Sequence, residues 1–178
     1  MNNSQGSSNH SENNDYRTIE QTMEKLPGGT RRLAAQLSTF ATFDSLWNVL
    51  TDYDRLNLYI PNLLSSKKIS QNKNNVKLKQ VGAQDFLGMK FSAEVTIDLF
   101  EERELGLLKF SLIKGDFRKF EGSWKIQQIK DTEKNSLIYD LTVQGCQWMP
   151  IGMIEKRLKE DLSQNLIAVD RQAKSINK

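Results

Sequence analysis

Apolar residues near the end of the chain recur at Ile151, Ile154, Leu158, Leu162, Leu166, Val169, Ala173 and Ile176. Steps of three and four put these side chains on one face of a long helix spanning residues 150–176. Lys156, Lys159, Ser163, Asp170 and Lys174 fall on the opposite face, toward water. Pro150 suits the first helical position, where no backbone N–H is needed. Glu155 near the start, and Arg171 and Lys174 near the end, complement the helix dipole. A stripe this long must cover another apolar surface, and the preceding segments read mainly as strands.

Within residues 31–40, Leu33, Ala35 and Leu37 alternate with polar or small neighbours, which predicts a first strand with one buried face. Phe43, Leu46, Trp47 and Leu50 then follow helical spacing, with Thr42 or Asp44 available as an N-cap. Asp54 can cap a second short helix holding Leu56, Tyr59 and Ile60, which Pro61 stops. Residues 64–70 and 76–81 flank a polar loop, giving a hairpin. The clearest period-two run is 91–99, where Phe91, Ala93, Val95, Ile97 and Leu99 share one face. Further strands are predicted over 107–113, 120–126 and 137–143. Gly122 inside one of them points to a bend or a close backbone approach. The order is one strand, two short helices, six strands in hairpin succession and the long helix; the succession makes an antiparallel sheet, so the class is α+β. If that sheet curves, its apolar face is wider than one helix covers, and the remainder is a cavity.

Composition alters the picture mainly at the N-terminus. Residues 1–29 are rich in Asn, Ser, Gln and Glu, bury too little to offset ordering entropy, and are expected to form a disordered tail. Residues 30–178 are then expected to form a single domain, long enough for a real core. Lys and Arg exceed Asp and Glu by 25 − 22 = 3, too mild an excess for a dedicated nucleic-acid binder. Cys146 is the single cysteine, so no internal disulfide forms. Its place just before the long helix fits a small packing residue. With no long apolar run and no secretory pattern, a cytoplasmic protein is expected.

Catalytic signals are sparse. The one histidine, His10, lies in the tail, which removes His-dependent triads and His/Cys metal sites from the fold. No cofactor is expected. Asp52 and Asp54 stand where helix ends need caps, and Glu94 and Asp98 share the polar face of their strand. Tyr53, Tyr59 and Tyr139 remain as weak acids for proton transfer, and nothing in the sequence selects among them. Lys67, Lys68, Lys73, Lys77 and Lys79 cluster in the second hairpin. They serve either transient contact with an anionic membrane or protection of a sheet edge.

Four stretches carry a resemblance. They are Trp47-Asn48-Val49-Leu50-Thr51-Asp52-Tyr53-Asp54, then Tyr59-Ile60-Pro61-Asn62-Leu63, then Asp116-Phe117-Arg118-Lys119-Phe120-Glu121-Gly122-Ser123-Trp124, and Met149-Pro150-Ile151-Gly152-Met153-Ile154-Glu155. Taken in order, over roughly residues 31–173, they resemble the polyketide cyclase/dehydrase and lipid-transport family of the START-like, helix-grip superfamily. They look most like cyanobacterial and plastid members related to coenzyme Q-binding START proteins. The resemblance implies a curved seven-stranded antiparallel sheet wrapped around the C-terminal helix, with two short helices after the first strand. Between sheet and helix it implies a pocket for a hydrophobic small molecule.

The expected lining comprises Tyr59, Phe91, Val95, Phe110, Phe120, Trp124 and Tyr139 before the helix, with Met149, Met153, Ile154 and Leu158 at and within its start. Binding or transport of a lipid or isoprenoid quinone is the first expected function, with residues 53–63 as a gate. A polyketide-type cyclase, aromatase or dehydratase acting in the same pocket is the alternative, and a protein-assembly role is the third. Fold resemblance foretells a pocket better than it foretells chemistry.

Overall fold

The computed structural model describes residues 19–86, 89–146 and 151–176, apart from the side chains of 84–90 and 151–154. Its elements in chain order begin with β1 (Ile19–Lys25), β2 (Arg31–Thr39), α1 (Phe43–Thr51) and a 3-10 segment (Tyr53–Leu58). Hairpin-linked strands follow: β3 (Leu63–Asn72), β4 (Asn75–Phe86), β5 (Met89–Glu102), β6 (Leu107–Gly115), β7 (Phe117–Gln128) and β8 (Asn135–Gly145). The helix α2 (Ile151–Ile176) ends the described chain.

All strands join one sheet in the order β1-β2-β8-β7-β6-β5-β4-β3, and every pairing is antiparallel. This corrects the sequence expectation twice. Among the described residues there are eight strands rather than seven, because Ile19–Lys25 pairs with β2 from Ile19↔Leu37 to Lys25↔Arg31. The sequence expectation puts that segment in the disordered tail; residues 1–18 lie outside the described residues. The sheet is also open rather than curled around the helix. Each hairpin pairs neighbours in sequence and β2 pairs with β8, but β1 and β3 are left as separate edges.

The period-two readings map onto burial. In β2, Leu33, Ala35 and Leu37 are buried while Arg32 and Ser38 are exposed. In β8, Leu137, Tyr139, Leu141 and Val143 are buried on the same side. Against them α2 sets Leu162, Leu166, Val169 and Ala173, all fully or almost fully buried. Each such Leu or Val contributes about 1.5–3 kcal/mol through burial. The helix packs on β1, β2, β8 and α1. α2 thus leaves the apolar faces of β4 to β7 largely uncovered, with α1 reaching β7, and there the structure keeps a cavity.

Local chemistry fixes the helix ends and the helix–sheet seam. Thr42 caps α1, its hydroxyl oxygen accepting from the Ser45 N–H at 3.2 Å. Asp54 does not cap: its carboxylate accepts from the Lys68 N–H at 2.7 Å and ties the 3-10 segment to β3. Asp170, which helical spacing puts on the watery face, is fully buried. The Thr39 hydroxyl donates to its Oδ1, and Lys174 Nζ lies 3.2 Å from its Oδ2. Thr39 also accepts from the Ala41 N–H at 2.9 Å, so one carboxylate joins the end of β2, the turn before α1 and the last turns of α2. Gly122 is the close approach expected of it, since a Cβ there would lie 2.0 Å from the Asp140 carbonyl oxygen.

Candidate functional site: an apolar cavity with one ionisable end

The cavity lies between the uncovered part of the sheet, α2 and the 53–63 region, and measures about 260 Å³. That is near the lower end for small-molecule sites. The alternating face of β5 forms one wall, through Phe91, Val95, Ile97 and Leu99. An aromatic cluster forms another. Phe110 lies 5.6 Å from Phe120 and 6.3 Å from Tyr139 between ring centroids, and Tyr139 stacks on Trp124. Trp124 and Tyr139 are directly paired across β7 and β8, so the sheet register sets that stack.

One end is polar. Asp161 and Asn165 stand four residues apart on α2, so the same helix face presents both to the cavity. Asn62 donates from its side-chain amide to Asp161 Oδ1 at 3.0 Å, at the rim. Asn62 holds a left-handed conformation, φ 61°, which Asn tolerates better than most residues. Its carbonyl oxygen accepts from the Ala83 N–H at 2.9 Å, fixing the turn against β4. Burial raises the Asp161 carboxyl to a pKa of about 6, against the opposing pull of the Asn62 hydrogen bond and the Arg157 charge. Burial, and then the charge of Asp161, also raises the Tyr139 phenol. The side-chain oxygen of Asn165 is buried and has no hydrogen-bond partner among the described residues.

The three tyrosines left open by sequence now separate. The Tyr53 hydroxyl donates to Glu101 Oε1 at 2.6 Å, and burial with that acceptor raises its pKa. The Tyr59 hydroxyl donates to the Val49 carbonyl at 2.6 Å. Tyr139 alone of the three makes no hydrogen bond to a described residue, and its ring is on the cavity wall.

Of the residues expected to line the pocket, Phe91, Val95, Phe110 and Phe120 do so, and Trp124, Tyr139 and Leu158 join them. Tyr59 does not. The 3-10 segment turns its ring toward α1, where the hydroxyl is spent on Val49. Met149 lies outside the described residues, as do the side chains of Met153 and Ile154. Sequence reasoning missed Asp161 and Asn165. A signal existed, since each follows a stripe leucine (Leu158, Leu162) by three positions and so shares the inner face.

Among the described residues no three His, Cys, Asp or Glu side chains converge as metal ligands. No helix among them is long and apolar enough to cross a membrane. In the β3–β4 hairpin, Lys79 pairs with Glu94 at 2.9 Å and Lys68 donates to Gln71 at 3.0 Å.

An antiparallel sheet with a long C-terminal helix across it and an apolar cavity between them defines the α+β helix-grip, START-like class. The chain belongs to the polyketide cyclase / dehydrase and lipid transport family, whose model matches residues 41–170. None of the curated proteins matches the sequence. Among solved structures, a STAR-related lipid transfer protein fragment from Xanthomonas axonopodis superposes with a TM-score of 0.74 at 12% identity, covering 88% of this chain and 93% of that one. The Zhui aromatase/cyclase of a Streptomyces species gives 0.71 at 14% identity, covering 84% and 96%. Human StAR-related lipid transfer protein 5 gives 0.71 at 7% identity, covering 90% and 84%. At these identities the likeness is one of fold. Family membership associates the chain with hydrophobic-ligand binding or cyclase-type chemistry.

Proposed function

We propose that the protein takes a compact hydrophobic molecule into the cavity and promotes a cyclase- or dehydratase-type reaction on it. The observation that carries this reading is the Asp161 carboxyl, with a pKa of about 6, the one carboxylic acid lining a mainly apolar cavity among the described residues. A group poised near neutrality both takes and returns a proton at the cell's pH. Exclusion of water by the aromatic walls strengthens its action on a bound carbonyl or enol. Positioning against the Trp124–Tyr139 stack supplies the orientation that ring closure needs.

Carriage of an unmodified ligand is the second reading, supported by the apolar lining and by the family's lipid-transport branch. A lipid or isoprenoid quinone, as in the plastid-type members that the sequence resembles, is its finer form. In that reading Lys67, Lys68, Lys73, Lys77 and Lys79 give transient contact with an anionic membrane. The exposed Leu64 and Ile69 on the same hairpin support such contact.

Native mass spectrometry with organic extraction, followed by a time course on a short poly-β-ketone probe, separates the readings. The enzymatic reading expects conversion that Asp161→Asn slows by about 10²-fold or more. A stoichiometric ligand that copurifies and stays unmodified, with no conversion of the probe by either protein, would establish carriage instead.

A further inference from the structure

The polar end of the cavity narrows the class of ligand, given the reading above that the cavity binds an apolar molecule. We propose that Asp161, Asn165 and Tyr139 form a subsite for a hydroxyl group carried by an aromatic or polycyclic ligand, and that the pocket selects for such a donor. Three observations carry this. Asp161 and Asn165 both present oxygen acceptors from one face of α2, and the Asn165 oxygen has no partner among the described residues although it is buried. A buried acceptor left unpaired costs stability, so a ligand that supplies the missing donor recovers that cost on binding.

The Asn62 amide holds the Asp161 carboxylate in place at the rim, so that acceptor is pre-positioned. On the sheet side, the Tyr139 hydroxyl makes no hydrogen bond to a described residue and its ring is stacked flat on Trp124. A planar ligand thus meets a planar wall, with two acceptors and a phenol at one end. An acceptor-only ligand, such as a quinone or an ester, could take the Tyr139 hydroxyl but would leave the buried Asn165 oxygen without a donor, which costs binding. An ammonium donor fits less well, because the remaining walls are mainly apolar and carry no further carboxylate, and Arg157 already lies within electrostatic reach of Asp161.

The test uses two probes of nearly equal shape, 2-naphthol and 2-methoxynaphthalene, titrated calorimetrically into the full chain at about pH 7.5, where Asp161 is ionised. The expected result is tighter binding of 2-naphthol by about tenfold, the scale of a hydrogen bond to a charged acceptor. Asn165→Leu, close in volume, and Asp161→Asn, which keeps the Asn62 contact, should each cut that preference severalfold. Neither should weaken 2-methoxynaphthalene, which offers no donor to the acceptor that each variant removes. Equal affinities for the two probes in the unsubstituted protein overturn the hydroxyl subsite and leave the apolar cavity standing. Binding of neither probe overturns the cavity reading and this inference with it.

Discussion

Trp124 and Tyr139 lie flat against each other, ring centroids 4.0 Å apart and planes 8° from parallel, as a cross-strand pair on β7 and β8. The stack forms part of the cavity wall, so whatever enters must touch one ring or displace the other. Aromatic pairs of this kind contribute about 0.5–1.5 kcal/mol beyond the area they bury.

Trp124 should therefore report occupancy. With Trp47 and Trp148 replaced by phenylalanine, the remaining emission should shift saturably as an apolar aromatic probe is added. Calorimetry on the same sample gives an independent binding curve, and the two midpoints should agree. Saturable binding with unchanged emission would remove Trp124 from the cavity wall.

Asp161 gives stability an unusual pH dependence. Its folded pKa of about 6 lies above the ordinary value of 3.8, so the folded state holds this proton more tightly than the unfolded chain. The associated stability is fully present below about pH 4 and is lost as pH rises through about 6. Asp161→Asn abolishes the titration. Because the group is only half-buried, solvent screening reduces the effect, and the variant should be more stable than the parent by about 1 kcal/mol at pH 7. The difference should vanish near pH 4. Urea unfolding at several pH values checks this, and parallel pH profiles for the two proteins would show that Asp161 is not the group responsible.

The buried Asp170 predicts a larger and opposite effect. Asp170→Ala strands the Thr39 hydroxyl and removes the partner of Lys174, and should cost about 2–3 kcal/mol. Asp170→Asn keeps an acceptor for Thr39 and should cost only about 1 kcal/mol. Denaturant midpoints at neutral pH measure both. Equal losses in the two variants would mean that the charge, rather than the hydrogen bond, holds the seam.

How far the sequence showed this molecule depends on which force built each part. The α2 stripe and the period-two run of β5 are written in apolar side chains, and both are found at their expected places. The strand β1 was invisible because only Ile19 and Met23 turn inward; the rest of its pairing to β2 is made by backbone groups that every residue carries. The expected curl of the sheet failed for a related reason, since side-chain alternation fixes a strand's two faces but not whether its sheet closes. At the cavity, the aromatic wall follows from apolar spacing, whereas Asp161 and Asn165 are polar side chains beside the α2 stripe, which a pattern of apolar residues does not mark. Tyr59 had the right spacing, but a single hydroxyl–carbonyl bond to Val49 turned it elsewhere.

The open strand order leaves the molecule with two selvedges, and each is finished differently. On one side β3 carries Lys67 and Lys68 and is broken by register shifts between Leu63 and Ser65 and between Lys68 and Ser70, which spoil a straight hydrogen-bonding ribbon. On the other, β1 lies over β2, bears Glu20, Glu24 and Lys25, and is pinned to α2 where Gln21 donates to the Lys159 carbonyl at 2.7 Å. Cutting the chain back to Arg31 would strip that hem and bare the seven residues of β2 that pair with it, with apolar Leu33 and Leu37 among them. Such a strand is a template on which a second copy can crystallise its own. The seven polar-leaning residues of β1 therefore act as a guard against self-association, whatever the cavity holds.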